Sequence, residues 1–201
     1  PEGVVRALAG IGLKPQDIDT VILTHLHFDH ADNVGLFPQA RFILQKREWE
    51  YAKSPLPIQR QLYNPETIAE LERLDLILVG DRYVVEDGVE VILVPGHTPG
   101  QQAVVVNTSQ GNYVLAGDLL MTWINVYPHI SEYTDMLGNR VAVTPQPDHA
   151  FFPPGIHTDL TDWYDSAWRV LAFAGSRRRI LPGHEPSLVG KVIPRDRVGV
   201  Y

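Results

Sequence analysis

The sequence predicts an α/β fold, and three observations support this prediction. Apolar, β-branched runs of strand length recur at residues 18–24, 89–94 and 112–116. Helix signals alternate with them, above all the amphipathic stretch 161–174, which Gly175 closes. The composition is that of an ordinary globular protein, with 44% hydrophobic and 20% charged residues. We therefore expect strands and helices that share one hydrophobic core.

The first third of the chain carries clear start and stop signals. Residues 3–13 place apolar side chains at helical spacing, and residues 38–45 are typical of a strand that leads into a short helix around Glu48. Asn64 as N-cap and Pro65 at the first helical position predict a helix that runs to about residue 75.

Further strands are predicted in the remaining two thirds. They lie at 76–79 and 82–86, in a hairpin over 101–116, and at 177–181. Residues 121–158 are irregular and rich in proline and aromatic residues. Two interpretations stay open for this segment: the wall of a substrate pocket, or an ordinary surface excursion.

Length and charge limit the function classes. A chain of 201 residues fits one domain, so we expect residues 1–201 to form a single domain. The net charge is −7, and the only basic run is Arg177-Arg178-Arg179, which we interpret as a solvated segment, with a phosphate or carboxylate contact as the weaker alternative. A nucleic acid partner is therefore not expected.

The cysteine count and the hydropathy pattern limit the metal ligands and the cellular location that we expect. The chain contains no cysteine, so any metal site must use nitrogen and oxygen ligands. No apolar run approaches the 18 residues or so of a transmembrane helix, and we expect no membrane partner. We expect a cytoplasmic protein, although a missing N-terminus would hide a signal peptide.

The strongest chemical signal is the run His25-Leu26-His27-Phe28-Asp29-His30. Imidazole and carboxylate together suit zinc or a similar first-row metal. His25 and His27 follow a predicted strand, where residues two apart project to the same side and can reach one ion. Asp29 and His30 follow a turn and can face a second ion. The alternative is a polar turn with satisfied histidines, which so dense a cluster makes the weaker interpretation.

Three further strand ends carry metal-ligand residue types. His97, Asp118 and His184 each come directly after a glycine, which allows the backbone to turn sharply. Taken singly, each is explained by an ordinary turn. Taken with the first motif, they predict one metal site at the ends of several strands, as in open α/β sheets.

These motifs resemble the signature of the metallo-β-lactamase superfamily, which is H-x-H-x-D-H followed by a Gly-His turn, an Asp and a last His. The resemblance extends from about residue 4 to residue 186 and implies that family's αββα sandwich. It also implies two divalent metal ions as cofactors, with zinc as the first expectation. The implied ligands are His25, His27 and His97 for one metal, Asp29, His30 and His184 for the other, and Asp118 as a bridge.

Longer phrases are similar to the N-acyl homoserine lactonase branch of that superfamily. They are FPQARFILQKREWEYA, GHTPGQQA and PPGIHTDLTDWY. This likeness implies a quorum-quenching hydrolase in which metal-bound hydroxide opens a lactone or cleaves a related ester. It further implies Asp29 as the catalytic group that passes a proton to the leaving oxygen. The expected partner is a small-molecule substrate, and whether the protein forms a homodimer stays open.

The chain departs from the lactonase pattern at two points. Met121 stands where those enzymes usually carry a Tyr, and a thioether cannot donate a hydrogen bond. Trp123 and Tyr127 lie nearby, and we interpret both as packing residues. Only 24 residues precede His25, so we expect the chain to lack the first strands of the fold.

Three other functions stay open at this point. GHTPG is shared with thioester hydrolases that resemble glyoxalase II, and some superfamily members use iron for redox chemistry. A fold relative that only binds a partner is the third, which the complete ligand set makes less attractive.

Overall fold

The computed structural model describes residues 2–135 and 137–195. The chain divides into two compact units, Pro1–Asp81 and Arg82–Tyr201. Each unit combines strands and helices, which confirms the predicted α/β class. The expectation that residues 1–201 form one domain stays a prediction.

Three parallel strands form the sheet of the first unit, in the order β1-β2-β3. Because parallel neighbours need crossover connections, helical segments link them. Its core includes Phe42, Leu44 and Leu71, all fully buried. In chain order the elements are α1 (Glu2–Gly10), β1 (Thr20–Ile22), α2 (Phe28–Ala31), β2 (Arg41–Gln45), α3 (Lys46–Ala52), α4 (Pro65–Leu71) and β3 (Asp75–Val79).

The predicted elements of this unit are present, most of them with shorter bounds. The first strand ends at Ile22, and a bend follows at Thr24. Asn64 caps α4 as predicted, its side-chain oxygen accepting from the Glu66 amide at 3.0 Å. The helix ends at Leu71, and not near residue 75, because Asp75 already pairs with Arg41 in the sheet.

A five-stranded mixed sheet forms the centre of the second unit, in the order β10-β7-β6-β5-β4. The β10–β7 pair is parallel, and the other three pairs are antiparallel. In chain order the elements are β4 (Arg82–Glu86), β5 (Val89–Leu93), β6 (Gln102–Thr108), β7 (Gly111–Gly117), α5 (Trp123–Val126), β8 (Glu132–Thr134), β9 (Arg140–Ala142), α6 (Leu160–Ala174) and β10 (Ile180–Pro182).

The helix α6 covers the core of this unit with one apolar face. Trp163, Ala167 and Ala174 are buried as the periodicity predicts, whereas Val170 is buried more deeply than the predicted Leu171. Gly175 ends the helix in a left-handed conformation, with φ of +66°. This is the C-terminal glycine cap that the sequence predicts.

The basic run after α6 differs from its prediction. Arg177–Arg179 forms a single 3₁₀ turn, and the strand begins only at Ile180. Arg177 is half-buried: it donates to the Val126 carbonyl at 2.5 Å and lies over the Phe151 ring at 4.1 Å. The interpretation as a solvated segment is therefore wrong for Arg177, because its planar guanidinium can both donate and stack.

The segment 121–158 contains more regular structure than predicted. It includes the short helix α5 and the β8–β9 hairpin. Within residues 2–135 and 137–195, no helix has both the length and the hydropathy needed to cross a bilayer.

Candidate functional site

The first unit brings together the four side chains of the H-x-H-x-D-H run. The rings of His25 and His27 lie edge to face with centroids 4.6 Å apart, and His25 and His30 are 4.3 Å apart. The Asp29 Oδ2 atom lies 3.4 Å from His30 Nε2. Four potential metal ligands thus meet at the end of β1, as the spacing predicts.

Local backbone geometry explains this convergence. His27 is the N-cap of α2, with an extended backbone (φ −63°, ψ 148°) that places Asp29 in the first helical turn. The far end of α2 is tied to α4, because Asp32 accepts from Thr67 Oγ1 at 2.6 Å and from Asn64 Nδ2 at 3.1 Å. The position of His30 is therefore fixed from both ends of a single helical turn.

In the second unit, strand directions bring the remaining three residues together. Strands β7 and β10 run parallel, so Asp118 and His184 follow them at the same sheet edge. Strand β5 is antiparallel to β6, which is antiparallel to β7, and His97 therefore leaves at that edge too. The Asp118 carboxylate faces both histidines: Oδ1 lies 3.2 Å from His184 Nε2, and Oδ2 lies 3.7 Å from His97 Nε2.

The loop before α6 holds the His97 ring. The Ile156 carbonyl lies 2.8 Å from His97 Nδ1. A carbonyl only accepts, so Nδ1 carries the proton and Nε2 keeps a lone pair, which is the arrangement that suits a metal-binding histidine. The Gly96 carbonyl accepts from the Thr158 and Asp159 amides at 2.6 and 3.2 Å. The turn that carries His97 and the loop that orients its ring are thus joined.

Met121 contributes to the site through its backbone. Its carbonyl accepts from the His184 amide at 2.7 Å, while Gly183 donates to Gly117 and Leu120. A Cβ on Gly183 would lie 2.7 Å from the Gly117 carbonyl oxygen and 2.9 Å from Asp118 Oδ1. Only glycine allows this close approach, which explains the Gly-His pair at residues 183 and 184.

A buried carboxylate supports the His184 turn. Glu185 accepts from the Trp123 amide at 3.0 Å and from the Ser187 amide and hydroxyl at 3.1 and 2.6 Å. The Trp123 indole donates to Ser187 Oγ at 2.9 Å. Trp123 and Tyr127 both lie in the core, in line with the packing role predicted for them, and burial raises the pKa of the Tyr127 phenol.

Burial divides the candidate ligands into two sets. His25, His27, His97 and Asp118 are almost fully buried. By contrast, the side chains of Asp29 and His184 are 40% and 37% exposed. All donors are nitrogen and oxygen atoms, a set that suits divalent first-row metals. The exposed members are the ones that a dissolved substrate can approach.

The structure also reveals one residue whose role the sequence analysis missed. Glu48 of α3 is fully buried, and its Oε1 accepts from the Leu26 amide at 3.0 Å and the Tyr63 hydroxyl at 3.1 Å. The one available signal is a carboxylate on the apolar side of a short helix, beside buried Trp49 and Ala52. That signal shows neither the partner of the carboxylate nor its place in the fold.

The segment 121–158 lines a groove together with α6. The groove has a volume of about 470 Å³, and aromatic side chains dominate its lining, including Phe151, Phe152 and Tyr164. Trp163 also lines it, and this residue packs against Gly96 beside His97. The groove is consistent with the pocket-wall interpretation, which stays a prediction.

Comparison with known proteins gives N-acyl homoserine lactonases among the relatives of this chain. An N-acyl homoserine lactonase of Bacillus cereus is 36% identical over 112 residues, which cover 56% of this chain and 42% of the relative. The lactonase AttM of Azorhizobium caulinodans is 33% identical over 129 residues, which cover 60% of this chain and 46% of the relative. The match thus spans less than half the length of each relative.

Solved structures and the family model agree with these relatives. An N-acyl homoserine lactone hydrolase, solved with N-hexanoyl-L-homoserine at its catalytic metal centre, matches with a TM-score of 0.69 and 25% identity. That match covers 97% of this chain and 67% of the other. The model of the metallo-beta-lactamase superfamily matches residues 2–184. By this match over nearly its whole length, the chain belongs to the metallo-beta-lactamase superfamily.

Proposed function

We propose that this protein is a metal-dependent hydrolase that opens a lactone ring or cleaves a related ester. The observation that carries the proposal is the Asp118 carboxylate, whose two oxygens face the Nε2 atoms of His97 and His184. A carboxylate in this arrangement is suited to bridge two cations. Family membership and the lactonase relatives support the same reaction class.

We further propose two divalent metal ions, with zinc as the first candidate. The donor set fits them, since the Ile156 carbonyl fixes the His97 tautomer and every other donor is imidazole or carboxylate. One metal would be held by His25, His27 and His97, the other by Asp29, His30 and His184, with Asp118 between them.

The chemistry expected of such a pair is to lower the pKa of a water to about 7 and to polarise the substrate carbonyl. The residues of the chain then position the substrate and transfer protons. Asp29 is the exposed carboxylate of the set, and we assign it the proton transfer: its Oδ2 would accept the proton of the hydroxyl group that has added to the carbonyl and pass it to the leaving alkoxide. Its neighbour His30, 3.4 Å away, keeps the carboxylate oriented.

The aromatic groove beside His97 is suited to the apolar part of a substrate. Its lining by Phe151, Phe152 and Leu160 would remove an acyl chain from water. We therefore propose N-acyl homoserine lactones as the first substrates to test.

One experiment decides between the candidate reactions. Metal content and hydrolysis are measured on the same sample, with N-acyl homoserine lactones of several chain lengths, simple lactones and glutathione thioesters. Two zinc ions per chain and lactone opening support the proposal. Faster thioester cleavage favours a glyoxalase II-like hydrolase, and one iron without hydrolysis contradicts the proposal.

A further inference from the structure

A buried carboxylate lies beneath the first two histidines of the metal-binding run. Glu48 is fully buried, and its Oε1 atom accepts two hydrogen bonds within the first unit. One donor is the Leu26 amide at 3.0 Å, and the other is the Tyr63 hydroxyl at 3.1 Å. Glu48 is separated from Leu26 by 22 positions, so this contact joins two distant parts of the chain.

Both donors are directly linked to the histidines. Leu26 lies between His25 and His27, so a bond to its amide fixes the backbone from which both rings project. Tyr63 contacts His27 in two ways: a backbone bridge joins the two residues, and their rings meet edge to face at 4.9 Å. We propose that Glu48 is a positioning residue that holds His25 and His27 in the geometry needed to bind a metal.

The physical reason lies in the strength and placement of these bonds. Hydrogen bonds to a carboxylate are roughly twice as strong as neutral ones, and burial in a low-dielectric interior strengthens them further. His25 and His27 follow a strand of only three residues, which by itself constrains them weakly. Glu48 adds a constraint on their backbone, as outer partners of metal ligands commonly do.

This inference rests on the proposed function only in assuming that these histidines bind a metal. Its test is therefore metal affinity, measured without substrate. Metal-free wild type and Glu48→Gln are titrated with zinc in competition with a chromophoric chelator. We expect Glu48→Gln to bind zinc about 10- to 100-fold more weakly, the range for loss of an outer-shell partner. The amide keeps the size of the side chain but loses the charge.

A matched control comes from the same helix. Glu50 lies two positions further along α3, and its side chain is 62% exposed beside Lys46. Glu50→Gln removes the same charge from the same helix and should leave the zinc affinity unchanged. Equal zinc affinities for wild type and Glu48→Gln would overturn the inference.

Two further readouts separate positioning from a purely structural role. If Glu48 only stabilises the fold, Glu48→Gln will lower the thermal midpoint of the metal-free protein without changing the zinc affinity, which contradicts the inference. The visible spectrum of the cobalt-substituted protein, which reports ligand geometry, should change in Glu48→Gln and stay the same in Glu50→Gln.

A milder variant covers the case in which Glu48→Gln does not fold. Tyr63→Phe removes one hydroxyl and retains the ring that packs on His27. It should weaken zinc binding several-fold, and unchanged affinity would overturn the inference.

Lactone hydrolysis is assayed separately. A wild type that binds zinc but opens no lactone refutes the proposed reaction, while the affinity difference still tests Glu48.

Discussion

At the scale of single residues, the Asp118 carboxylate contacts two other candidate ligands. It is 3% exposed, yet its two carboxylate oxygens approach two different imidazoles. A buried carboxylate needs compensation by cations or hydrogen-bond donors, because its desolvation costs several kcal/mol. Two divalent cations would provide that compensation.

Asp118→Asn should therefore remove most of the activity while leaving the fold intact. The amide keeps the shape but has no charge and only one oxygen, so it binds two cations much more weakly than the carboxylate does. We expect kcat/KM for lactone opening to fall at least about 100-fold, beyond the usual effect of losing an outer-shell partner. Steady-state kinetics and metal analysis on the same sample measure this effect.

The control for this variant is an exposed aspartate of the same unit. Asp148→Asn makes the same chemical change at the surface and should retain wild-type kinetics and metal content. Undiminished hydrolysis by Asp118→Asn, at full metal content, would refute the bridging role.

The seven proposed ligands could be selected from the sequence because their identity and spacing carry the chemistry. Four of them fall within six positions, and each of the other three directly follows a glycine. Glu48 could not be selected, since its role depends on Leu26 and Tyr63, which only the fold brings to it. Met121 is a similar case, because its contribution is a backbone carbonyl that any residue would supply.

At the scale of elements, the turn before His97 depends on close backbone packing against α6. Gly96 has φ of +133°, and a Cβ there would lie 2.3 Å from the Trp163 Cα atom. Both features exclude a side chain, the first by backbone strain and the second by overlap with backbone atoms. Strand β5 can therefore place His97 at the sheet edge only if residue 96 is glycine.

Gly96→Ala should be among the more destabilising alanine substitutions in this chain. Backbone strain and overpacking each cost about 1–3 kcal/mol, so we expect a loss of about 3 kcal/mol or more in the free energy of unfolding. Urea denaturation of the metal-free protein measures it. Gly155→Ala is the matched control, since a Cβ there meets nothing within 4 Å. Equal free energies of unfolding for Gly96→Ala and Gly155→Ala would show that the turn can shift freely.

The N-terminus of α6 offers a second prediction at this scale. Asp159 caps the helix, its side chain accepting from the Asp162 amide at 2.8 Å. Asp159→Ala should lower the free energy of unfolding by about 1 kcal/mol, the usual effect of losing an N-cap residue. For a chain of this size that corresponds to about 2–4 °C in thermal midpoint. Asp165→Ala, at an exposed position in the same helix, should change the midpoint much less.

The ends of helices and strands were predictable where a local sequence signal sets them. They were less predictable where pairing with a distant strand sets them. Gly175 ends α6 as predicted, because a left-handed cap is a local property. The end of α4 was misplaced, because pairing between Asp75 and Arg41 takes those residues into the sheet. The Arg177 contacts with Val126 and Phe151 were likewise invisible, since both partners are distant in sequence.

For the whole molecule, alternating strand and helix signals were sufficient to predict the α/β class. They did not predict the division into two compact units at residue 81. Periodicity shows which face of an element is buried but not which elements share a core. The proposed ligands fall in both units, four in the first and three in the second.

Metal loading should therefore raise the thermal stability of the whole chain. A ligand that binds only the native state stabilises it by RT ln(1 + [L]/Kd), about 2.7 kcal/mol at 100 times Kd. For a chain of about 200 residues this corresponds to a rise of about 5–10 °C in midpoint. We expect that rise when zinc is added to the metal-free protein, monitored by circular dichroism.

Magnesium, which prefers oxygen ligands in octahedral geometry, should have little effect. Asp118→Asn should respond less to zinc, because it lacks the shared ligand. If zinc left the midpoint of the wild type unchanged, the seven residues would not form a metal site in the native protein, and the proposed hydrolysis would lose its basis.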